Sequence, residues 1–165
     1  MPRTLRIATF NLENFDDKPS QKPTLAERIA LMRPQLLRLN ADILCLQEVN
    51  GQEQPHQPRE ILALQQLTAT TPYSDYHTVS TKTADGHQVY DERNLVILSR
   101  FEILAHEQHR PTDEPLYRMS WVVELDTEKV PQQKNTTITI SWAAFGFDNS
   151  SGDVQALEIV FTRSQ

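Results

Sequence analysis

The feature that most restricts the fold is the stretch Ala41 to Asn50, Ala-Asp-Ile-Leu-Cys-Leu-Gln-Glu-Val-Asn. Ile43 to Leu46 are apolar without interruption or alternation, and the run is too short for a helix. It predicts an interior strand covered on both faces. The run gives way to Gln47, Glu48 and Asn50, so a carboxylate stands where a buried strand leaves the core. In layered α/β sheets that edge is where ligands bind.

A matching run lies upstream. Leu5 to Phe10 is followed at once by Asn11, Leu12, Glu13 and Asn14, and Thr24-Leu-Ala-Glu27 between the two runs has the form of a capping box. A helix is predicted from Leu25 to Leu39, with Leu25, Ile29, Met32, Leu36 and Leu39 on one face and Asn40 as its stop. Pro34 lies inside it, and an internal proline costs about 3 kcal/mol, which predicts a kink or a break near Arg33. A strand, helix, strand unit with the usual right-handed crossover sets two parallel strands in one sheet, so Asn11 and Glu48 would leave the same edge. As direct neighbours about 4.8 Å apart, their oxygens could share one hard cation such as magnesium; the geometry admits this without requiring it.

Ile7-Ala-Thr-Phe-Asn-Leu12, then Ala41 to Val49, then Arg93-Asn-Leu-Val-Ile-Leu-Ser-Arg-Phe-Glu-Ile103 resemble the first sequence blocks of the endonuclease/exonuclease/phosphatase family, in the family's order. Their joint occurrence is far more specific than any block alone. The resemblance covers roughly Leu5 to Ile103. It implies an α/β fold, part of a four-layer α/β sandwich with mixed β-sheets flanked by helices, and a hydrolase acting on phosphate esters with a divalent metal, Mg2+ or Mn2+. It also implies that Asn11 is an active-site residue and that Glu48 binds the metal, with Asn11 sharing it. Arg93 and Asn94, which open the third block, are candidates for substrate binding; a salt bridge and a turn before a buried strand explain them equally well.

The second half departs from the family. Members carry a strand block with a histidine, an Asp-x-Asn block and a closing Asp-His pair, whereas the last histidine here is His109. Gly152-Asp-Val-Gln155 is a poor match to the Asp-x-Asn block, with Gln in place of Asn. The expected domain is therefore a single one over residues 1–165, truncated or divergent after about residue 125, and the sandwich is expected to be incomplete. Two alternatives to an active phosphoesterase follow: a non-catalytic truncated or frame-shifted member, and a module that only binds. A half sandwich would expose an apolar sheet face, so the chain is expected either to self-associate or to be poorly stable.

Composition sets further bounds. With 165 residues, one domain can bury a sizeable core. The net charge of −6 supplies no global basic field, so a nucleic acid substrate would need local contacts; a phospholipid or small phosphoester is the other substrate class. Cys45 is the single cysteine and lies in the buried run, so it packs as a small hydrophobe and forms no intrachain disulfide. No stretch is long enough to span a bilayer and no apolar signal region precedes the first strand, so a soluble, cytoplasmic protein is expected. The five histidines follow no metal-ligand spacing and read as surface or loop residues.

Elsewhere the sequence predicts a loop over Gly51–Pro58, a helix over Arg59–Ala69 with Ile61, Leu62, Leu64 and Leu67 inward, and a strand over His77–Ser80. A turn follows at Thr83–Gly86. Leu95–Leu98 reads as an interior strand with Glu102–Ala105 pairing beside it. Trp121–Leu125 is a further strand, and Thr136–Trp142 with Val154–Phe161 forms a terminal hairpin around Asp148–Asp153.

Overall fold

The computed structural model describes residues 5–109, 119–125, 136–144 and 155–163. The chain divides into two compact units, Leu5–Arg100 and a second formed by Met1–Thr4 with Phe101–Gln165.

In the first unit, β1 (Ile7–Phe15), β2 (Ile43–Val49), β5 (His77–Ser80) and β6 (Asn94–Ser99) form a mixed sheet in the order β1-β2-β6-β5. β1 and β2 are parallel direct neighbours, while β2 with β6 and β5 with β6 are antiparallel. Every described side chain of β6 is buried, as are all of β2 except the half-buried Glu48, as the unbroken apolar runs require. Leu44, Leu46, Val96 and Leu98 join one core cluster with Leu36, Leu64 and Leu67, and Leu25, Ile29, Met32 and Leu39 pack against it. Ile43, Cys45, Leu95 and Ile97 are buried as well. Burial pushes the Cys45 thiol up to about 12, so it is an inert packing group.

Helix α1 (Leu25–Leu39) begins on the predicted capping box, with Thr24 Oγ1 accepting from Glu27 N–H and Glu27 Oε2 accepting from Thr24 N–H. It ends at Asn40 in the left-handed conformation. The predicted break at Pro34 does not occur; α1 is one helix through it. Tertiary contacts outweigh the missing backbone bond: Arg33 donates to Leu67 O (3.0 Å) and Gln66 O (2.6 Å), free carbonyls at the end of the second helix, and Leu36 is fully buried one turn on.

The predicted 51–58 loop is instead a hairpin of β3 (Gln52–Gln54) and β4 (Gln57–Glu60), and β4 takes the start of the predicted second helix. This hairpin has no apolar alternation to betray it. Polar contacts hold it: Arg59 Nη2 meets Glu53 Oε1 at 2.9 Å, and Gln52 Oε1 accepts from Ala63 N–H at the start of α2 (Leu62–Thr68). Gln52 supplies the helix with a cap that Ile61 has no side chain to make. The His77–Ser80 strand and the Thr83–Gly86 turn form as predicted, the turn closed by Gly86 N–H to Thr83 O.

The second unit is a fully antiparallel sheet of β7 (Ile103–His109), β8 (Met119–Leu125), β9 (Thr136–Ala144) and β10 (Gln155–Arg163), in the order β10-β9-β8-β7. The terminal hairpin is present, Ile140 opposite Ile159, while its turn lies outside the described residues. The pairing predicted for Glu102–Ala105 is corrected: β7 runs beside β8, with Ile103 opposite Leu125, and not beside β6.

Candidate active site at the β1–β2 rim

Two irregularities shape the rim. Between β1 and β2 the register runs Asn11↔Gln47 and then Phe15↔Val49, so β1 inserts extra residues at its end. Between β2 and β6 it runs Leu46↔Val96 and then Val49↔Asn94, which leaves an extra residue on β2. Such bulges re-aim side chains, and a residue in the left-handed region commonly carries them. Here Glu13 (φ 50°), Asn14 (φ 48°) and Glu48 (φ 56°) occupy that region, and Arg93 (φ 53°) does so where β6 begins. Asparagine tolerates this conformation; glutamate and arginine are strained in it.

The bulges bring together the residues singled out in the sequence. Asn11 Nδ2 donates to Glu48 Oε1 at 3.0 Å, and the Asn14 N–H donates to Glu48 Oε2 at 3.1 Å, so both carboxylate oxygens are oriented. Asn11 Oδ1 accepts from Glu13 N–H at 2.7 Å. The amide thus turns its nitrogen to the carboxylate, and a cation at its oxygen would share that atom with Glu13 N–H. Arg93 is exposed beside them, its Nε donating to Asn14 Oδ1 at 3.2 Å and its N–H to Asn50 Oδ1 at 2.9 Å.

Asn94 does not reach the rim. It is fully buried, and Nδ2 donates to Val49 O and Tyr90 O, each at 2.8 Å. Substrate contact is replaced by a tether between the end of β2 and the 90–94 loop. The turn reading offered for this residue is the better one, because a side chain with no exposed surface cannot meet a substrate.

Three supporting residues had been assigned no role from the sequence. Arg28 is buried on α1 and donates to the carbonyls of Leu12, Glu13 (2.7 Å) and Asn14 (3.2 Å), with its guanidinium 5.1 Å over the Phe15 ring. Burial pulls its guanidinium below the ordinary value, and the Glu13 and Asp16 carboxylates oppose that. Its signal was available: a charge three residues after Leu25, on the apolar stripe of α1. Asp16 is also buried, its carboxylate accepting from Asn50 Nδ2 (3.1 Å) and Gln52 Nε2 (2.9 Å). Burial alone would raise its carboxyl, but bonds from Gln52, Asn50, Asp17 N–H and Lys18 hold it below the usual carboxylate value. Asn50 completes the chain of contacts from Asp16 to the Arg93 backbone.

Among the described residues no three His, Cys, Asp or Glu side chains gather as a metal cage. The rim still fits a hard cation. One well-oriented carboxylate suits a cation such as magnesium, which keeps several waters and relies on one or two carboxylates and substrate phosphates, while the Asn11 oxygen expected to share it faces Glu13 N–H instead.

The fold and the rim define a mixed-sheet α/β protein with a carboxylate presented at the strand ends. The chain belongs to the endonuclease/exonuclease/phosphatase family, whose model matches residues 8–147. Among solved structures it is similar to an endonuclease/exonuclease/phosphatase family protein from Leptotrichia buccalis, at 16% identity and TM-score 0.53, covering 91% of this chain and 58% of that one. It is also similar to TDP2 from Caenorhabditis elegans, at 17% identity and TM-score 0.51, covering 76% of this chain and 32% of that one. The chain therefore spans a third to somewhat over half the length of these structures, and the likeness is one of fold. No curated protein matches it.

Proposed function

We propose that the β1–β2 rim is the metal- and phosphate-binding part of a divalent-metal-dependent phosphoesterase site. The observation that supports this most directly is the orientation of both Glu48 carboxylate oxygens by Asn11 and Asn14 at a doubly bulged strand end. Family members generally use divalent metals, and magnesium or manganese suits these oxygen donors. Glu48 is the direct ligand; Asn11 orients it and offers the remaining lone pair of Oδ1. Arg93 holds a phosphate through the free face of its guanidinium, a fork matched to phosphate oxygens. When bound, the metal supplies positive charge to the transferring phosphoryl group and the leaving oxygen.

The substrate class is a phosphate ester, either a nucleic acid or a phospholipid or small phosphoester. Activation of the attacking water is assigned to no residue of this rim. No helix among the described residues is long and apolar enough to cross a membrane.

The test is hydrolysis of a generic phosphodiester with and without magnesium, beside Glu48→Ala and a Mn2+ titration by calorimetry. Metal-dependent turnover that Glu48→Ala abolishes is the expected result. Equal activity in parent and variant would refute the assignment of Glu48. Metal binding lost in Glu48→Ala, with no turnover in the parent, would select the non-catalytic family member.

A further inference from the structure

The rim holds two opposite charges, the Glu48 carboxylate and the Arg93 guanidinium, yet among the described residues no ion pair joins them within 4.0 Å. Asn14 stands between them. Its backbone N–H donates to Glu48 Oε2 at 3.1 Å, and its side-chain Oδ1 accepts from Arg93 Nε at 3.2 Å. Both bonds come from one residue held at φ 48°, whose carbonyl accepts from Arg28 Nη1 at 3.2 Å and from Gln21 Nε2 at 3.0 Å. Its backbone is therefore pinned from one side while its side chain and N–H serve the other.

We propose that Asn14 is a positioning residue that acts as a spacer, holding the Arg93 guanidinium off the Glu48 carboxylate so that one charge stays available to a cation and the other to a phosphate. This rests on the reading of Glu48 and Arg93 given above. The physical need is plain. A carboxylate and a guanidinium on adjacent strand ends pair in a bidentate fork when nothing prevents it, and each would then compete with the other's ligand. A neutral amide satisfies Arg93 Nε without cancelling its charge and leaves Nη1 and Nη2 with no hydrogen-bond partner among the described residues. Arg93 is anchored at its other end too, its N–H bonded to Asn50 Oδ1, which the buried Asp16 network fixes.

The test uses the whole chain and a cycle of variants. Asn14→Gly keeps the backbone N–H and suits the left-handed conformation but deletes Oδ1. Released, Arg93 closes on Glu48, and Mn2+ affinity falls by about fivefold, the change that an exposed ion pair of about 1 kcal/mol corresponds to. Removing the competitor in the same background, Asn14→Gly with Arg93→Ala, restores affinity to near the parent's. Asn14→Asp keeps an acceptor for Arg93 Nε and does not lower affinity; it also serves if Asn14→Gly fails to fold. The readout independent of metal is a metal-free crystal structure, in which Asn14→Gly brings the guanidinium within 4 Å of the carboxylate and Asn14→Asp does not. Unchanged affinity in Asn14→Gly, no recovery in the double variant, or a guanidinium that stays away in the crystal would each overturn the spacer role. A parent that binds no Mn2+ would instead sink the metal reading, and the spacer would then stand or fall on the crystallographic distance alone.

Discussion

Replacing Arg28 by methionine tests whether one buried guanidinium holds the end of β1 in shape. Methionine keeps most of the stem volume, so the change isolates the polar head. The head donates to the carbonyls of Leu12, Glu13 and Asn14. Glu13 and Asn14 are exposed, so water can take over there, but Leu12 is fully buried and its carbonyl would be left without a partner. An orphaned buried carbonyl costs about 1 to 3 kcal/mol, and the lost contact over Phe15 adds about 0.5 to 1. Relief of the guanidinium's own desolvation offsets about 1 kcal/mol. A net loss of about 2 kcal/mol follows. With a urea m-value of about 2 kcal/mol/M, the unfolding midpoint followed by circular dichroism falls by roughly 1 M. Because the Asn14 carbonyl keeps only its bond from Gln21, Mn2+ affinity falls in conditions where the variant is still folded. A midpoint within about 0.2 M of the parent's would refute the idea that Arg28 organises this strand end.

Asp16→Asn replaces an acceptor of two amide donors with a group that has one acceptor atom, and it should destabilise most at neutral pH. The folded-state pKa of Asp16 lies below its ordinary 3.8, so its stabilisation is present above that value and is lost as pH falls through the folded pKa. Urea melts of parent and variant should therefore converge below about pH 4; a gap independent of pH would contradict this. Gly51→Ala places a Cβ 2.6 Å from the Tyr90 carbonyl oxygen, which cannot yield without moving the loop that carries Arg93. A cost of about 1 to 3 kcal/mol in the same melts is expected, and a neutral result would show that the loop gives way freely. Thr70 is exposed, β-branched and at φ 64°, so Thr70→Gly should raise stability by about 0.5 to 1 kcal/mol. Loss of stability would mean that its backbone carries no strain.

What the sequence disclosed and what it hid follow from the kind of force involved. Continuous burial has a compositional signature, so Ile43–Leu46 and Leu95–Leu98 were readable as interior strands, and the parallel pairing of β1 with β2 followed from the helix between them. Local capping was equally legible at Thr24, Glu27 and Asn40. The β3–β4 hairpin was not, because Glu53 and Arg59 hold it by a side-chain pair and Gln52 ties it to Asp16 and Ala63. Pro34 misled for a related reason: a local penalty was outweighed by Arg33 and Leu36, whose contacts arise only in the folded unit. At the rim, residue types pointed to Asn11 and Glu48, but Asn94 turned inward and Asn14 had been given no role. A bulge decides which way a side chain faces, and no alternation pattern records it.

The bulge at Glu48 makes a claim that can be decided by the sign of one comparison. Glu48→Ala and Glu48→Gly both delete the carboxylate and the same bonds from Asn11 and Asn14. At an ordinary strand position glycine would be the less stable of the two by about 0.5 to 1 kcal/mol, because it loses more chain entropy on folding. At φ 56° the order reverses, since a Cβ in the left-handed region costs about 1 to 2 kcal/mol and glycine has none. Glu48→Gly should therefore be more stable than Glu48→Ala by roughly 0.5 to 1 kcal/mol. If alanine proves the more stable, the backbone at β2's end is relaxed, and the orientation of Glu48 cannot be credited to a strained bulge. If glycine wins, the backbone at β2's end is strained, and the wild-type chain carries that strain at the one position whose carboxylate Asn11 and Asn14 orient.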